Sequence, residues 1–240
     1  MGFNKEIDEE VRLMFFRDEL ISEKCSFSLY QGTEFLRKAR FYLNTLEAFL
    51  EKEKTAELES LSKHARRIPE SNCGDFWARN YPIYWEEMFQ EQLRSSFLVS
   101  LTSFLEDHLK IICWLATIIR REKKDPRTWF KKVYKRSQDF LEKSGVCFET
   151  KKHEWNFINN LYEMRNVFVH FGGRIYSLKD EKREMAIHSF IKNQPNLSES
   201  HGYIKVKKEF FYEALEVAES LIFYVHDEIV SLCTRFSKDR

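Results

Sequence analysis

Glycine and proline are scarce in this sequence, which has 7 glycines and 4 prolines among its 240 residues. Proteins built from many short strands place these residue types at their turns, so the scarcity argues against a β-sandwich or a β-barrel. Hydrophobic residues make up 43% of the chain, and 22 phenylalanines dominate its aromatic residues. This composition is typical of long helices packed around a Phe-rich core, and we predict an all-α fold.

Paired cysteine motifs are also absent. The five cysteines are odd in number, widely scattered and without a CxxC pair, so the sequence predicts neither a disulfide framework nor a zinc site. His226-Asp227 and Glu106-Asp107-His108 lack the partner spacing of a metal site or a nucleophilic triad, and we interpret them as packed or surface residues. We therefore predict no metal and no cofactor.

A long apolar run is missing as well. The longest charge-free, mostly apolar stretch near the middle of the chain, residues 111–119, is less than half of what a bilayer span requires, and Arg120 and Arg121 follow it. The first residues, MGFNKEIDEE, are acidic and lack the apolar core of a secretion signal. We predict a soluble, cytoplasmic protein that does not enter a membrane.

An excess of one charge is likewise absent, because 39 basic residues face 38 acidic ones. Any attraction to nucleic acid must therefore be local. Nine cations cluster against Glu122 and Asp125 in one stretch; they are Arg120, Arg121, Lys123, Lys124, Arg127, Lys131, Lys132, Lys135 and Arg136. Trp129 and Tyr134 lie among them, and cations with aromatic rings are typical of RNA-binding surfaces. A solvated helix face with both rings buried is the alternative, and both interpretations stay open.

Apolar residues at helical spacing predict a series of helices. They cover, in order, residues 7–24, about 29–67, 82 into the apolar run at 111–119, the stretch from Asp125-Pro126 to Gly145, about 150 to Gly172-Gly173, and about 208–236. Weak alternation in MAIHSFI and YIKV, on either side of the turn-rich NQPNLSESHG, is compatible with a short β-hairpin before the last helix.

The chain shows no break in composition that would divide it into two halves, so we predict one globular unit over residues 1–240. Turn-forming residues at Ile68-Pro69 and Asn72-Cys73-Gly74 predict a linker within it. Residues 1–70 are then a helical extension, and residues 80–240 are the main helical body.

The segment RNVFVH, residues 165–170, concentrates polar groups at the end of an otherwise buried helix. Helical geometry places Asn166 and His170 on one face, one turn apart, with Arg165 beside them. A histidine can exchange a proton near neutral pH, and an arginine can hold a phosphate. Because RNA supplies its own 2′-hydroxyl nucleophile, these groups suffice for cleavage to a cyclic phosphate. The alternative is that both cations only stabilise the helix C-terminus.

This arrangement of Arg-Asn, three residues and His, late in a helix and soon followed by Gly172-Gly173, resembles the signature of the HEPN superfamily. HEPN proteins are four- or five-helix bundles, and many are RNA-cleaving toxins, antiviral effectors or RNA-processing enzymes. They usually act as dimers whose two motifs face a shared cleft. The resemblance extends over residues 82–236 in helix order, but the sharp match is limited to Arg165, Asn166 and His170.

The resemblance implies a HEPN-like antiparallel bundle and a metal-independent endoribonuclease that acts as a homodimer on RNA. Arg165 would hold the phosphate, Asn166 would orient the site, and His170 would be the general base or acid. Family members often add an acidic residue from a preceding helix; Glu106 is our candidate, with Asp107 as the neighbouring alternative. A toxin or phage-defence effector with an antitoxin or regulatory partner is implied; a non-catalytic scaffold for RNA, nucleotides or proteins is the alternative.

Overall fold

The computed structural model describes residues 3–120, 122, 125–129, 132–178 and 180–238. Its elements are α1 (Phe3–Ala65), α2 (Glu70–Asn80), a π-helix (Trp85–Gln90), α3 (Glu91–Arg120), α4 (Val133–Lys143), α5 (Lys152–Phe171), α6 (Glu181–Lys192), β1 (Leu197–Ser200), β2 (Tyr203–Val206) and α7 (Lys208–Lys238). Short 3-10 turns occupy residues 126–128, 149–151 and 175–177. The prediction of an all-α fold with a short hairpin before the last helix is confirmed.

The chain forms two compact units. The first contains the described residues within 1–37, 101–162 and 213–240, and the second contains those within 38–100 and 163–212. Each unit therefore includes parts of α1, α3, α5 and α7. The separation of an extension from a main body at residues 70–80 stays a prediction.

The core of the first unit includes the C-terminal half of α3. Ile112, Leu115 and Ala116 are completely buried. Of residues 111–119, Ile111, Trp114 and Ile118 are half-buried and the others are buried. A helix that is shielded from water on nearly every side must be apolar on nearly every side, which explains the charge-free run. Trp155 of α5 is also buried, with its ring 4.8 Å from that of Phe148. Burial of each large apolar side chain contributes about 1.5–3 kcal/mol.

Two buried histidines face each other inside this unit. The Nε2 atoms of His108 on α3 and His226 on α7 are 3.1 Å apart, so one ring donates to the other. Burial, followed by the neighbouring His226, lowers the pKa of His108 to about 3, and burial lowers the pKa of His226 to about 4. Gly32 of α1 lies against this pair, and a Cβ atom there would be 3.0 Å from Cε1 of His108.

A buried ion pair connects three elements of the second unit. Arg94 of α3 donates from Nε and Nη2 to the two carboxylate oxygens of Glu47 on α1, at 2.7 and 2.9 Å. Its Nη1 donates to the carbonyl of Val206 at 3.0 Å. One guanidinium thus connects α1, α3 and β2, and its fork geometry satisfies both carboxylate oxygens of Glu47. In the same unit, the rings of Phe97 and Phe211 pack edge to face, with their centres 5.2 Å apart.

The predicted boundary between helices at residues 24–29 is wrong, because α1 continues unbroken from Phe3 to Ala65. Ser26 and Ser28 are weak helix formers, which is why the sequence suggested a break here. Tertiary packing overrides their low helix propensity. Cys25 and Ser28 are buried on one helix face, since they lie three positions apart. The predicted linker is also too long: Cys73 and Gly74 belong to α2, which begins directly after Pro69.

The segment MAIHSFI was considered as a strand and is helical. It lies in α6, whose start is capped by Asp180, which accepts from the amide of Lys182 at 3.1 Å. The first strand is instead the following LSES, and Leu197 pairs with Val206 in the antiparallel register. His201 and Gly202 form its turn with φ angles of 52° and 78°.

Asp125 caps a helix as predicted, but a shorter one. Its carboxylate accepts from the amide of Arg127 at 3.1 Å at the start of the 3-10 turn, and α4 begins only at Val133. Within the described part of the chain, no helix combines the length and apolarity that crossing a bilayer requires.

The buried histidine pair predicts that acid destabilises the fold. Both pKa values are below the unfolded value of about 6.5, so their contribution is complete above that pH and is lost as the pH falls toward 4. We expect a loss of roughly 1–2 kcal/mol per histidine between pH 7.5 and pH 5, measured by urea unfolding. His226→Leu should remove about half of this loss. The exposed control His64→Gln should leave it unchanged, and an equal effect of both variants would contradict the assignment.

Candidate functional site

The RNVFVH segment lies at the C-terminal end of α5, in the second unit. Val167 points into the core and is completely buried, which fixes the rotation of the helix about its axis. As a result, Arg165 and Asn166 are half-buried and His170 is exposed. The helix therefore presents the three polar residues of the motif at an accessible edge of the unit.

Two glycines end this helix without help from the polar side chains of the motif. The amide of Gly172 donates to the carbonyl of Phe168 at 3.1 Å, and the amide of Gly173 donates to that of Val167 at 3.2 Å. Their φ angles are +59° and +84°, a conformation that other residues adopt only with strain. Because backbone amides satisfy these carbonyls, His170 is not needed as a hydrogen-bonding cap. Among the described residues, its ring has no hydrogen-bond partner.

Arg165 and Asn166 form a pair within the motif. Nη1 of Arg165 donates to Oδ1 of Asn166 at 3.0 Å. Asn166 therefore orients the guanidinium, and its own amide group can still donate. Glu163, one turn earlier, forms an ion pair with Arg183 of α6, with Nε at 2.9 Å from the carboxylate. Glu163 thus connects α5 to α6 within the second unit.

A further cation near the motif was missed from the sequence. Arg174 follows the two glycines and is exposed, with its guanidinium 5.2 Å from the ring centre of Tyr203 on β2. The backbone holds it there, because the amide of Ile175 donates to Gly202 and that of Ile204 to Gly173, both at 3.0 Å. The only sequence signal was a basic residue directly after the glycine pair.

A groove of about 570 Å³ runs along one face of α5 in the same unit; we call it the α3–α5 groove. Its apolar wall is formed by Met88, Val99, Phe168 and Val169. Its charged lining residues are Glu87 and Glu91, and serines with Gln92 supply further hydrogen-bonding groups. Sequence reasoning missed this groove, since its two walls are about 80 residues apart in the chain.

The π-helix that forms part of the groove is fixed to α1. Trp85 donates from Nε1 to the carboxylate of Glu57 at 2.7 Å, and the hydroxyl of Tyr84 donates to the same group. These bonds, with that of Tyr84 the stronger, lower the pKa of Glu57. Lys54 also pairs with Glu86 at 2.6 Å. The neighbouring Glu87 and Met88 are therefore held in place on the groove wall.

The predicted catalytic residues are divided between the two units. Arg165, Asn166 and His170 belong to the second, whereas Glu106 lies on the part of α3 that belongs to the first. Glu106 is half-buried there. Its alternative, Asp107, is exposed and paired with Lys110 at 3.1 Å. The structure brings Arg165 and Asn166 into contact, and the role of Glu106 stays a prediction.

Of the nine cations in the predicted RNA-binding surface, the structure describes five. Arg121, Lys123, Lys124 and Lys131 lie outside the described residues. Arg120 pairs with Glu122 at 3.0 Å, and Arg127 pairs with Asp125 at 2.9 Å while its guanidinium lies 4.6 Å from the ring of Trp114. The remaining three, Lys132, Lys135 and Arg136, are exposed around the start of α4.

The two aromatic residues of this stretch pack against other side chains of the first unit, Tyr134 fully and Trp129 in part. Tyr134 is buried, and its hydroxyl donates to the carbonyl of Thr102 at 2.9 Å. Trp129 is half-buried, with its ring 5.9 Å from that of Phe140 in an edge-to-face arrangement. Tyr134 therefore cannot stack on a base, which favours the interpretation that these rings are part of the buried stripe.

Comparison with models of known families, with curated proteins and with solved structures finds no match for this chain. The predicted resemblance to HEPN proteins therefore stays a prediction that depends on Arg165, Asn166 and His170 alone. Among the described residues, no group of three or more His, Cys, Asp or Glu side chains could hold a metal ion.

The backbone at the end of α5 predicts that substitution of Gly173 destabilises the fold. A Cβ atom at Gly173 would lie 3.1 Å from Cε1 of Phe168, on a backbone with φ of +84°. Gly173→Ala should therefore lower the free energy of unfolding by about 1–2 kcal/mol. The matched control is Gly74→Ala within α2, where nothing lies within 4 Å and the stability should rise by up to about 1 kcal/mol. Urea unfolding measures both, and a neutral Gly173→Ala would contradict this helix ending.

Proposed function

We propose that this chain is a metal-independent endoribonuclease of the HEPN type, which cleaves cytoplasmic RNA through attack of its 2′-hydroxyl. The observation that supports this most is the accessible end of α5. There Arg165 is held by Asn166, and the ring of His170 is exposed with no hydrogen-bond partner among the described residues. A group that must exchange protons with a substrate needs this accessibility.

The reaction requires two proton transfers and one stabilised anion. His170 accepts the proton of the 2′-hydroxyl, whose oxygen attacks the adjacent phosphorus and forms a 2′,3′-cyclic phosphate. The bond to the 5′-oxygen breaks, and this leaving oxygen takes up a proton. The guanidinium of Arg165 stabilises the charge that builds up on the phosphate oxygens, and Arg174 adds a second cation at the same end of the unit.

The two proton transfers explain why we propose a homodimer. The acceptor of the first proton and the donor of the second must be on opposite sides of the phosphorus, and one motif supplies one histidine. A second copy of the motif across a shared cleft supplies the other. A role as a toxin or phage-defence effector, with an antitoxin or other regulatory protein, belongs to the same proposal.

The direct test is incubation of the purified full chain with total cellular RNA in the presence of EDTA. We expect cleavage that leaves 2′,3′-cyclic phosphate ends, detected by end-group analysis. His170→Ala and Arg165→Ala should each lower the rate by at least about 100-fold, because general acid–base catalysis and oxyanion stabilisation each contribute about that much.

The control variant is His64→Ala, an exposed histidine on α1, which should cleave at the wild-type rate. Absence of cleavage by the wild-type chain and its variants alike, together with no toxicity on expression, would contradict the proposal. If the His170→Ala variant still cleaved RNA at the wild-type rate, the catalytic site would have to lie elsewhere in the chain.

A non-catalytic RNA-binding scaffold is the second candidate function. The observation that favours it is the exposed group Lys132, Lys135 and Arg136, which belongs to the first unit rather than to the unit that contains the motif. Such a surface can bind a phosphate backbone without any chemistry. In this case RNA binding would survive the loss of His170.

The salt dependence of RNA binding tests the second candidate. If Lys135 and Arg136 contact phosphates of a single strand, their double replacement by alanine should reduce the slope of log affinity against log salt by about 1.4. The control is Lys207→Ala with Lys208→Ala, an exposed pair in the other unit. An unchanged slope, measured by fluorescence anisotropy, would contradict a role of this surface in binding.

A further inference from the structure

The α3–α5 groove has an unusual charge for a surface beside an RNA-cleaving motif. Its charged lining residues are both acidic, and they lie one helical turn apart. Glu91 is paired with Lys205, whereas Glu87 has no ion-pair partner among the described residues. A phosphate inside the groove would be repelled by Glu87. The part of a nucleotide that can enter is therefore the neutral base.

The apolar wall suits the flat face of a base. The ring of Phe168 lies close to the backbone of Gly173, where a Cβ atom would come within 3.1 Å of it. Met88 and Val169 remain 55% and 46% exposed beside the groove, so contact with a ligand would bury apolar surface that the fold leaves in water. Unpaired RNA bases are commonly bound by stacking on aromatic side chains and by hydrogen bonds to their edges.

The acidic rim distinguishes one base from the other three. A carboxylate accepts two parallel hydrogen bonds, and guanine presents two adjacent donors, N1–H and N2–H, on a single edge. Adenine and cytosine present one amino group beside an acceptor nitrogen, and uracil presents one N–H between two carbonyl oxygens. These acceptors would face the Glu87 carboxylate unfavourably.

We propose that the α3–α5 groove binds a guanine base next to the cleaved phosphate, with Glu87 accepting from N1–H and N2–H and Phe168 packing on the ring. Val169 lines the groove, and His170 follows it about 100° further around the helix. A nucleotide whose base fills the groove thus brings its sugar and phosphate toward the face that bears His170. The cleavage part of this inference rests on the proposed ribonuclease function; the binding part does not.

Binding is tested first on the full-length His170→Ala variant, with mononucleotides, which contain no phosphodiester bond to cleave. Titration calorimetry with GMP, AMP, CMP and UMP should show GMP bound about ten-fold or more tightly than the others, which is the discrimination expected of one bidentate contact. Glu87→Gln in the same background should abolish this preference. Glu181→Gln, the same change at an exposed carboxylate on α6 that does not line the groove, should preserve it.

Cleavage is tested next, with the wild-type chain and single-stranded oligonucleotides that contain one guanosine at varied positions. Cuts should follow the guanosine, and Glu87→Gln should cut without this preference. Preference for GMP without any cleavage would support the guanine site and contradict the ribonuclease. Cleavage without base preference would support the ribonuclease and overturn the guanine site.

Two further results would overturn the guanine site directly. One is equal binding of all four nucleotides. The other is no nucleotide binding while a lysine-rich amphipathic peptide binds and is released by Glu87→Gln, which would assign the groove to a cationic protein segment.

Discussion

Helix α5 ends where Gly172 and Gly173 adopt positive φ angles, and the geometry of the candidate site depends on that ending. The glycine amides donate hydrogen bonds to carbonyl groups of the last helical turn, so no side chain of that turn is needed as a cap. The same turn presses the ring of Phe168 against Gly173 and directs the chain through Arg174 toward the hairpin. The glycine ending and the burial of Val167 together set the surroundings of His170 and of Phe168 in the groove wall.

Each unit contains a pair of polar side chains that connects its helices. The Glu47–Arg94 pair connects α1, α3 and β2 in the second unit, and the His108–His226 pair connects α3 and α7 in the first. Buried polar contacts of this kind contribute little net stability compared with apolar packing, but an unpaired partner would be costly. They therefore favour a single register of the helices, because a shifted helix would leave an arginine or a glutamate buried alone.

The charges near the candidate site are segregated. Arg165 and Arg174 lie at the end of α5, while Glu87 and Glu91 line the groove on its side. With 39 basic and 38 acidic residues, the chain has no overall field to attract a polyanion, so electrostatic selection of a ligand depends on local groups. Under the proposed function, the cations would face the phosphate backbone and the groove would admit the neutral base.

The sequence by itself determined the features that depend on neighbours within one or two helical turns. The apolar spacing of α5 and α7, the cap at Asp125 and the glycine ending at residues 172–173 were all readable, because helix periodicity and termination are local. The positions of Asn166 and His170 on one face follow from the same geometry. Local signals also misled at residues 24–29 and in MAIHSFI, where no single residue type decides between helix and its alternatives.

Only the tertiary structure decided which side chains meet across long stretches of chain. Tyr134 could have been a stacking platform or a core residue, and its bond to Thr102 made it core. The pairing of His108 with His226, 118 positions apart, and the groove between residues 87–100 and 168–172 have no signature in composition or periodicity. The physical reason is that such contacts arise from the packing of whole helices, which depends on all their apolar faces together rather than on any one motif.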